Sequence, residues 1–139
     1  MLGCLYEPSA SLVPAMCSAA PLQKAAENAQ RDMYTVLPEL AMRPADAYER
    51  LVRGRGESVE LEELMGRTLA VMIVRYPPGF TLIIPGERIT GAKKSIQHYL
   101  LYAREFDQKF HGFETDIHGL RFEPAAGGRR YLIDCIGAE

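Results

Sequence analysis

Two proline-stiffened turns carry the residue types best suited to chemistry. Tyr76-Pro77-Pro78-Gly79 and Pro85-Gly86-Glu87 flank a five-residue apolar stretch and set a phenol and a carboxylate at their ends. Rigid loops on a packed scaffold are common seats for binding sites. The same residues also make a plain structural corner, and spacing alone favours that plainer role. Asp116 and His118 stand two apart, so on a strand they share a face and could together hold a metal. A pair without further ligands at motif spacing is a weak signal, and packing within a hairpin explains it more simply.

Other candidates are weaker. Gly54-Arg55-Gly56 lacks the third glycine of a dinucleotide fingerprint, because Val59 stands there, and it follows a helical pattern instead of a strand. It reads as a solvated turn. Neither a P-loop nor a GxSxG elbow is present. Cys4, Cys17 and Cys135 have no nearby histidine in sequence, and Cys135 reads as a small core residue. Glu57, Glu60, Glu62 and Glu63 read as the wet face of a short amphipathic segment. His98 flanks a helical core stripe, and His111 follows that helix's last aromatic, where the carbonyl end of the dipole favours it. From the residues alone, no reaction class emerges.

The elements that must position these groups follow from periodicity and turn chemistry. Residues 1–20 are apolar but aperiodic, and they read as an unassigned tail ahead of a domain over 21–139. They carry no basic n-region, and Glu7, Pro8 and Pro14 interrupt any hydrophobic region, so they do not read as a signal peptide. Leu22, Ala25, Ala26, Ala29, Met33 and Val36 recur at helical steps, predicting a helix that Pro38 ends. Pro44 opens a second helix, with Ala47, Tyr48, Leu51 and Val52 as its apolar stripe and Gly54 as its stop. In ESVELEEL, Val59 and Leu61 alternate with Glu60 and Glu62.

Residues 67–76 and 80–84 read as strands, separated by prolines that cannot donate to a ladder. Thr90 is the expected N-cap of the clearest helix, whose stripe is Ile96, Tyr99, Leu100, Ala103, Phe106 and Phe110. Lys93, Lys94, Gln97, Arg104 and Gln108 are expected to face away, and Gly112 to stop the helix. Residues 117–122 and 131–136 read as a hairpin around Gly127-Gly128. Helices and strands alternate without regular βαβ spacing. The fold class is therefore α+β, a single small domain with mixed or antiparallel strands packed by helices.

Composition narrows the functions. The 139 residues suit one domain, and 47% hydrophobic against 24% charged excludes whole-chain disorder. The longest apolar run, residues 69–74, falls far short of the roughly 20 needed to cross a bilayer, so no membrane partner is expected. Sixteen basic against eighteen acidic residues give no electrostatic footprint for nucleic acid. An odd cysteine count without CxxC argues against a disulfide framework and for a reducing cytoplasm.

RPADAYERLVRG (43–54), LEELMGRTLAVMIVRYPPGFTLIIPGE (61–87) and GFETDIHG (112–119) resemble the C-terminal domain of bacterial ornithine/lysine/arginine decarboxylases. The similarity runs in order from about residue 33 to the last strand, and YPPG–x5–PGE followed by a helix and GFETDIHG is its most specific part. Such enzymes use pyridoxal phosphate as an electron sink, on an aspartate-aminotransferase fold type. Their Schiff-base lysine lies in a Ser-x-His-Lys-type motif, which this sequence lacks: Ser95 and His98 are followed by Tyr99. Lys24, Lys93 and Lys94 fall on expected helix surfaces without that context.

The resemblance thus implies an accessory domain that binds no cofactor itself. Its partner would be a pyridoxal-phosphate-binding catalytic domain or subunit, in an enzyme that forms a homo-oligomer. It also implies that Tyr76, Pro77, Pro78, Gly79, Pro85, Gly86 and Glu87, then Asp116 and His118, line a substrate channel or domain interface. Glu87 would draw in a cationic substrate end. Two roles stand: a piece of such a decarboxylase, or an independent module that kept the fold and lost the chemistry.

Overall fold

The computed structural model describes residues 20, 21, 24, 27–29, 31, 32, 34–112, 114–126 and 128–137. Expectations for residues 1–19, including Cys4 and Cys17, and for Gly127 fall outside them. The described residues from 20 to 32 are helical, and 34–36 already turn. The first helix therefore stops short of Val36.

Three antiparallel sheets follow. β1 (Glu39–Leu40) pairs with β5 (Glu87–Arg88). β2 (Gly56–Glu60) and β7 (Arg121–Ala125) flank the long β8 (Gly128–Ile136). β4 (Phe80–Ile83) and β6 (Asp116–His118) flank β3 (Ile73–Tyr76). α1 (Pro44–Val52) starts at proline, where a missing N–H costs nothing. α2 (Lys94–Lys109) packs Ile96, Tyr99, Leu100 and Ala103 into one core with Leu69 and with Val59, Ile73, Ile83, Ile117 and Ile133, the last five drawn from both three-stranded sheets. This is an α+β domain.

Several elements differ from their sequence patterns. The apolar run before Tyr76 is strand only from Ile73 onward. Leu69 makes an isolated bridge to Cys135 and Thr68 one to Arg88, so residues 68–70 are buried as irregular chain. Thr90 precedes a 3-10 turn, Gly91–Lys93, and makes no side-chain capping bond. On α1, Ala47 is fully buried against Ala70 and Ile136, whereas Tyr48 and Val52 are exposed.

The expected 117–122 strand splits in two. β6 joins β3, while β7 joins β8. Gly119 sits between them at φ +94°, and a Cβ there would collide with the Met72 carbonyl oxygen. Only glycine lets the chain pass so close while changing sheets.

Candidate functional site

The expected site residues separate into two groups. The first gathers at the end of the β4-β3-β6 sheet. Tyr76 lies opposite Asp116, and Val74 opposite His118, so pleating puts Tyr76, Asp116 and His118 on one face. The Tyr76 and His118 rings are 4.7 Å apart, and His118 Nε2 lies 3.2 Å from Asp116 Oδ1. Pro77 and Pro78, both preceded by cis peptide bonds, carry the chain from β3 into β4. Tyr76, Pro77, Pro78, Asp116 and His118 are all exposed, and so are Phe80 and Met72. The face thus offers a phenol, an imidazole, a carboxylate and apolar surface.

Pro85, Gly86 and Glu87 sit elsewhere and are fixed from several sides. Gly86 N–H donates to the Leu69 carbonyl (2.8 Å), and Leu69 N–H donates to the Glu87 carbonyl (2.9 Å). The Gly86 carbonyl accepts from Ala41 (3.0 Å) and Met42 (3.2 Å). Gly86 is buried at φ +87°, and a Cβ would run into the Met42 carbonyl. Glu87 Oε2 accepts the Ile84 N–H at 2.8 Å. This turn is a structural corner first, with the Glu87 side chain as its one chemical group.

Polar residues that the sequence pattern assigned to the outer face of the long helix turn inward. Gln97, 5% exposed, donates through Nε2 to the Leu61 carbonyl (2.7 Å) and the Glu62 carbonyl (3.1 Å). Asp107, buried and not singled out from sequence, accepts from Thr115 N–H (2.7 Å), Thr115 Oγ1 (3.0 Å) and Tyr131 OH (3.0 Å). It ties α2 and β8 to the residue just before Asp116. Burial, then the Asp107 bond, push the Tyr131 phenol upward.

Lys93 is 4% exposed and lines a cleft of about 180 Å³ with Glu87, Tyr34, Leu37, Leu82 and Ile84. Burial lowers its ammonium below the usual lysine value, and the Glu87 charge works against that. Positions 93, 97 and 107 share the spacing of the core stripe. Weighing position above polarity would have found them.

The remaining candidates behave as structure. Three of the clustered carboxylates form separate ion pairs, Glu57 with Arg67, Glu60 with Arg130 and Glu62 with Arg104. The last holds Glu62 below the ordinary carboxylate range. Cys135 is buried, and burial pushes its thiol up to about 12. His98 is half-buried, edge-on to Tyr102 at 6.5 Å, and His111 is exposed. No group of three or more metal-binding side chains occurs among the described residues. Nor is any helix among them long and apolar enough to cross a membrane.

The sequence model of the Orn/Lys/Arg decarboxylase C-terminal domain matches residues 27–137. Lysine decarboxylase LdcA of Pseudomonas aeruginosa is 53% identical over 112 residues, covering 81% of this chain and 15% of that protein. The inducible lysine decarboxylase of Escherichia coli K12 is 42% identical over 106 residues, covering 76% of this chain and 14% of that protein. Among solved structures, lysine decarboxylase A from Pseudomonas aeruginosa superposes with a TM-score of 0.77 at 51% identity. That match covers 85% of this chain and 16% of the other. The chain therefore spans about one-seventh of the length of the curated relatives it matches.

Proposed function

Since the chain belongs to the C-terminal domain family of the Orn/Lys/Arg decarboxylases, we propose that it serves as the accessory α+β domain of a basic amino acid decarboxylase. The domain spans residues 21–139 and works beside a pyridoxal-phosphate-bearing catalytic domain or subunit in a homo-oligomeric, cytoplasmic enzyme. Pyridoxal phosphate supplies the electron sink for decarboxylation, and this chain's residues do not suit holding it. Lys24, Lys94 and Lys109 are exposed, and Lys93 shares its cleft with the Glu87 carboxylate, which repels a phosphate. No chemical step is assigned to this chain.

Its contribution is a face. The observation that carries this reading is the exposed Tyr76–Asp116–His118 cluster beside the Pro77-Pro78 turn. Exposed aromatic and apolar groups rimmed by charge are the usual composition of a docking surface. A carboxylate within that surface suits a passing ammonium or guanidinium, as a substrate channel requires. The test is capture of the native polypeptide from its source cells with an antibody to this domain, followed by intact mass and pyridoxal-phosphate content. A larger polypeptide, or a stable complex, that carries the cofactor is the expected result. The 139-residue chain alone, with no cofactor-bearing companion, overturns the reading.

A further inference from the structure

Asp116 and His118 make a contact that the fold does not need. They stand at alternate positions of β6, so their side chains leave the sheet on the same side. Both side chains are 63% exposed, and His118 Nε2 lies 3.2 Å from Asp116 Oδ1. Among the described residues, neither side chain makes another hydrogen bond or ion pair. An exposed pair of this kind contributes little to stability. The spacing, however, is that of two ligands on one metal ion. Zinc sits about 2.0–2.2 Å from an imidazole nitrogen or a carboxylate oxygen. Donors 3.2 Å apart then subtend an angle of about 100° at the ion, between the octahedral and tetrahedral values.

We propose that Asp116 and His118 chelate a divalent ion of the zinc, nickel or copper(II) kind, through one oxygen and one nitrogen of a single strand. Imidazole is a ligand that these ions favour, whereas magnesium and calcium take oxygen donors. The Tyr76 ring, 4.7 Å from the imidazole, packs beside it and narrows its swing. Two protein donors leave the rest of the ion's coordination sphere open, as in half of a closed structural site. Water fills those positions in the free chain. On a docking surface, as read above, they face the neighbouring polypeptide, and an ion held here ties the two together through that neighbour's donors. This consequence rests on the proposed function, whereas the binding itself does not.

The test is an NMR titration of the 139-residue chain with zinc chloride, and separately with magnesium chloride. Zinc is expected to shift the Asp116, Ile117 and His118 amides saturably, with Kd on the order of 0.1 mM for two donors on an otherwise hydrated ion. Magnesium should leave the same amides unmoved. Asp116→Ala keeps the imidazole but removes the chelate, and zinc should then bind at His118 about tenfold more weakly. His118→Ala should abolish the shifts. Both substitutions are at exposed positions, and the dispersion of the remaining amides shows that each variant folds. No saturable shift at 116–118 in the folded chain overturns the proposal. So does an equal response to magnesium, or a zinc affinity unchanged in Asp116→Ala, which reduces the site to a lone surface imidazole. Each of these outcomes leaves the capture experiment, and the reading it tests, untouched.

Discussion

The two proline-glycine turns look alike in sequence and do opposite things in the fold. At Pro85-Gly86-Glu87, backbone bonds to Leu69, Ala41 and Met42 enclose a glycine whose missing Cβ makes room for a neighbouring main chain. At Tyr76-Pro77-Pro78-Gly79, both prolines are exposed, and the nearest atoms to a Cβ on Gly79 belong to the Tyr76 ring, at 3.1 Å. One turn is held by what surrounds it. The other is stiffened by its own prolines and left free to meet something else. The same residue types become scaffold or surface according to whether another backbone passes within reach.

The largest effect should come from challenging the glycines. Gly86→Ala adds a strained positive φ to a backbone collision and is expected to destabilise by about 3 kcal/mol or more, against about 1–2 kcal/mol for Gly79→Ala. Urea unfolding of the two variants gives the ratio directly, and equal losses would erase the distinction between the turns.

Asp107→Ala attacks the exposed face from behind. It leaves Tyr131 OH and the Thr115 groups without their buried acceptor. A loss of about 2–3 kcal/mol is expected, with hydrogen exchange quickening at 115–118 but not at 84–87.

The fixed turn has its own signature in alkali. Leu69, to which Gly86 and Glu87 are bonded, bridges to Cys135, whose thiol burial pushes up to about 12. Because the folded-state pKa is raised, its contribution to stability is fully present below the unfolded value, near 9. From there to about 12 the unfolded thiol ionises first, and stability falls by about 1.4 kcal/mol per pH unit. Cys135→Ala should be less stable at neutral pH but show a shallower decline from pH 9 to 11 in thermal melts. A decline as steep as that of the parent chain would remove Cys135 as its source.

The smallest effect on stability belongs to the exposed turn. Tyr76→Ala should leave the isolated chain within about 0.5 kcal/mol of its parent. Its association with a cofactor-bearing polypeptide should weaken by about tenfold or more, as for an aromatic interface anchor. Sedimentation or titration calorimetry reads the second quantity.

Periodicity recovered α1 almost to the residue and the body of α2, because proline and glycine limit helices through local sterics. α2 nevertheless starts at Lys94 after a 3-10 turn and ends at Lys109, short of Gly112. Pattern also placed the strands β3 and β4 on either side of the proline turn, but their antiparallel pairing emerges only in the fold. It failed where tertiary contact overrides pattern. Residues 67–72 are as apolar as a strand, yet Leu69 bonds to a turn on one side and bridges β8 on the other, so no continuous ladder forms. Residues 117–122 look like one strand, but Gly119 hands the chain from one sheet to another. The grouping of Tyr76 with Asp116 and His118 was invisible, since only β3–β6 pairing brings positions some 40 apart onto one face. Lys93 and Asp107 were missed because charge suggested solvent while position pointed inward.

Hydrogen exchange of this chain, alone and mixed with the cofactor-bearing polypeptide captured with it, tests the division between the turns most directly. Peptides covering 76–81 and 115–120 should exchange quickly in the free chain and slow on mixing, while 84–88 should be slow in both. Protection that appears at 84–88 and leaves 76–81 and 115–120 unchanged would contradict the account, because the docking face would then lie at the turn assigned to the scaffold.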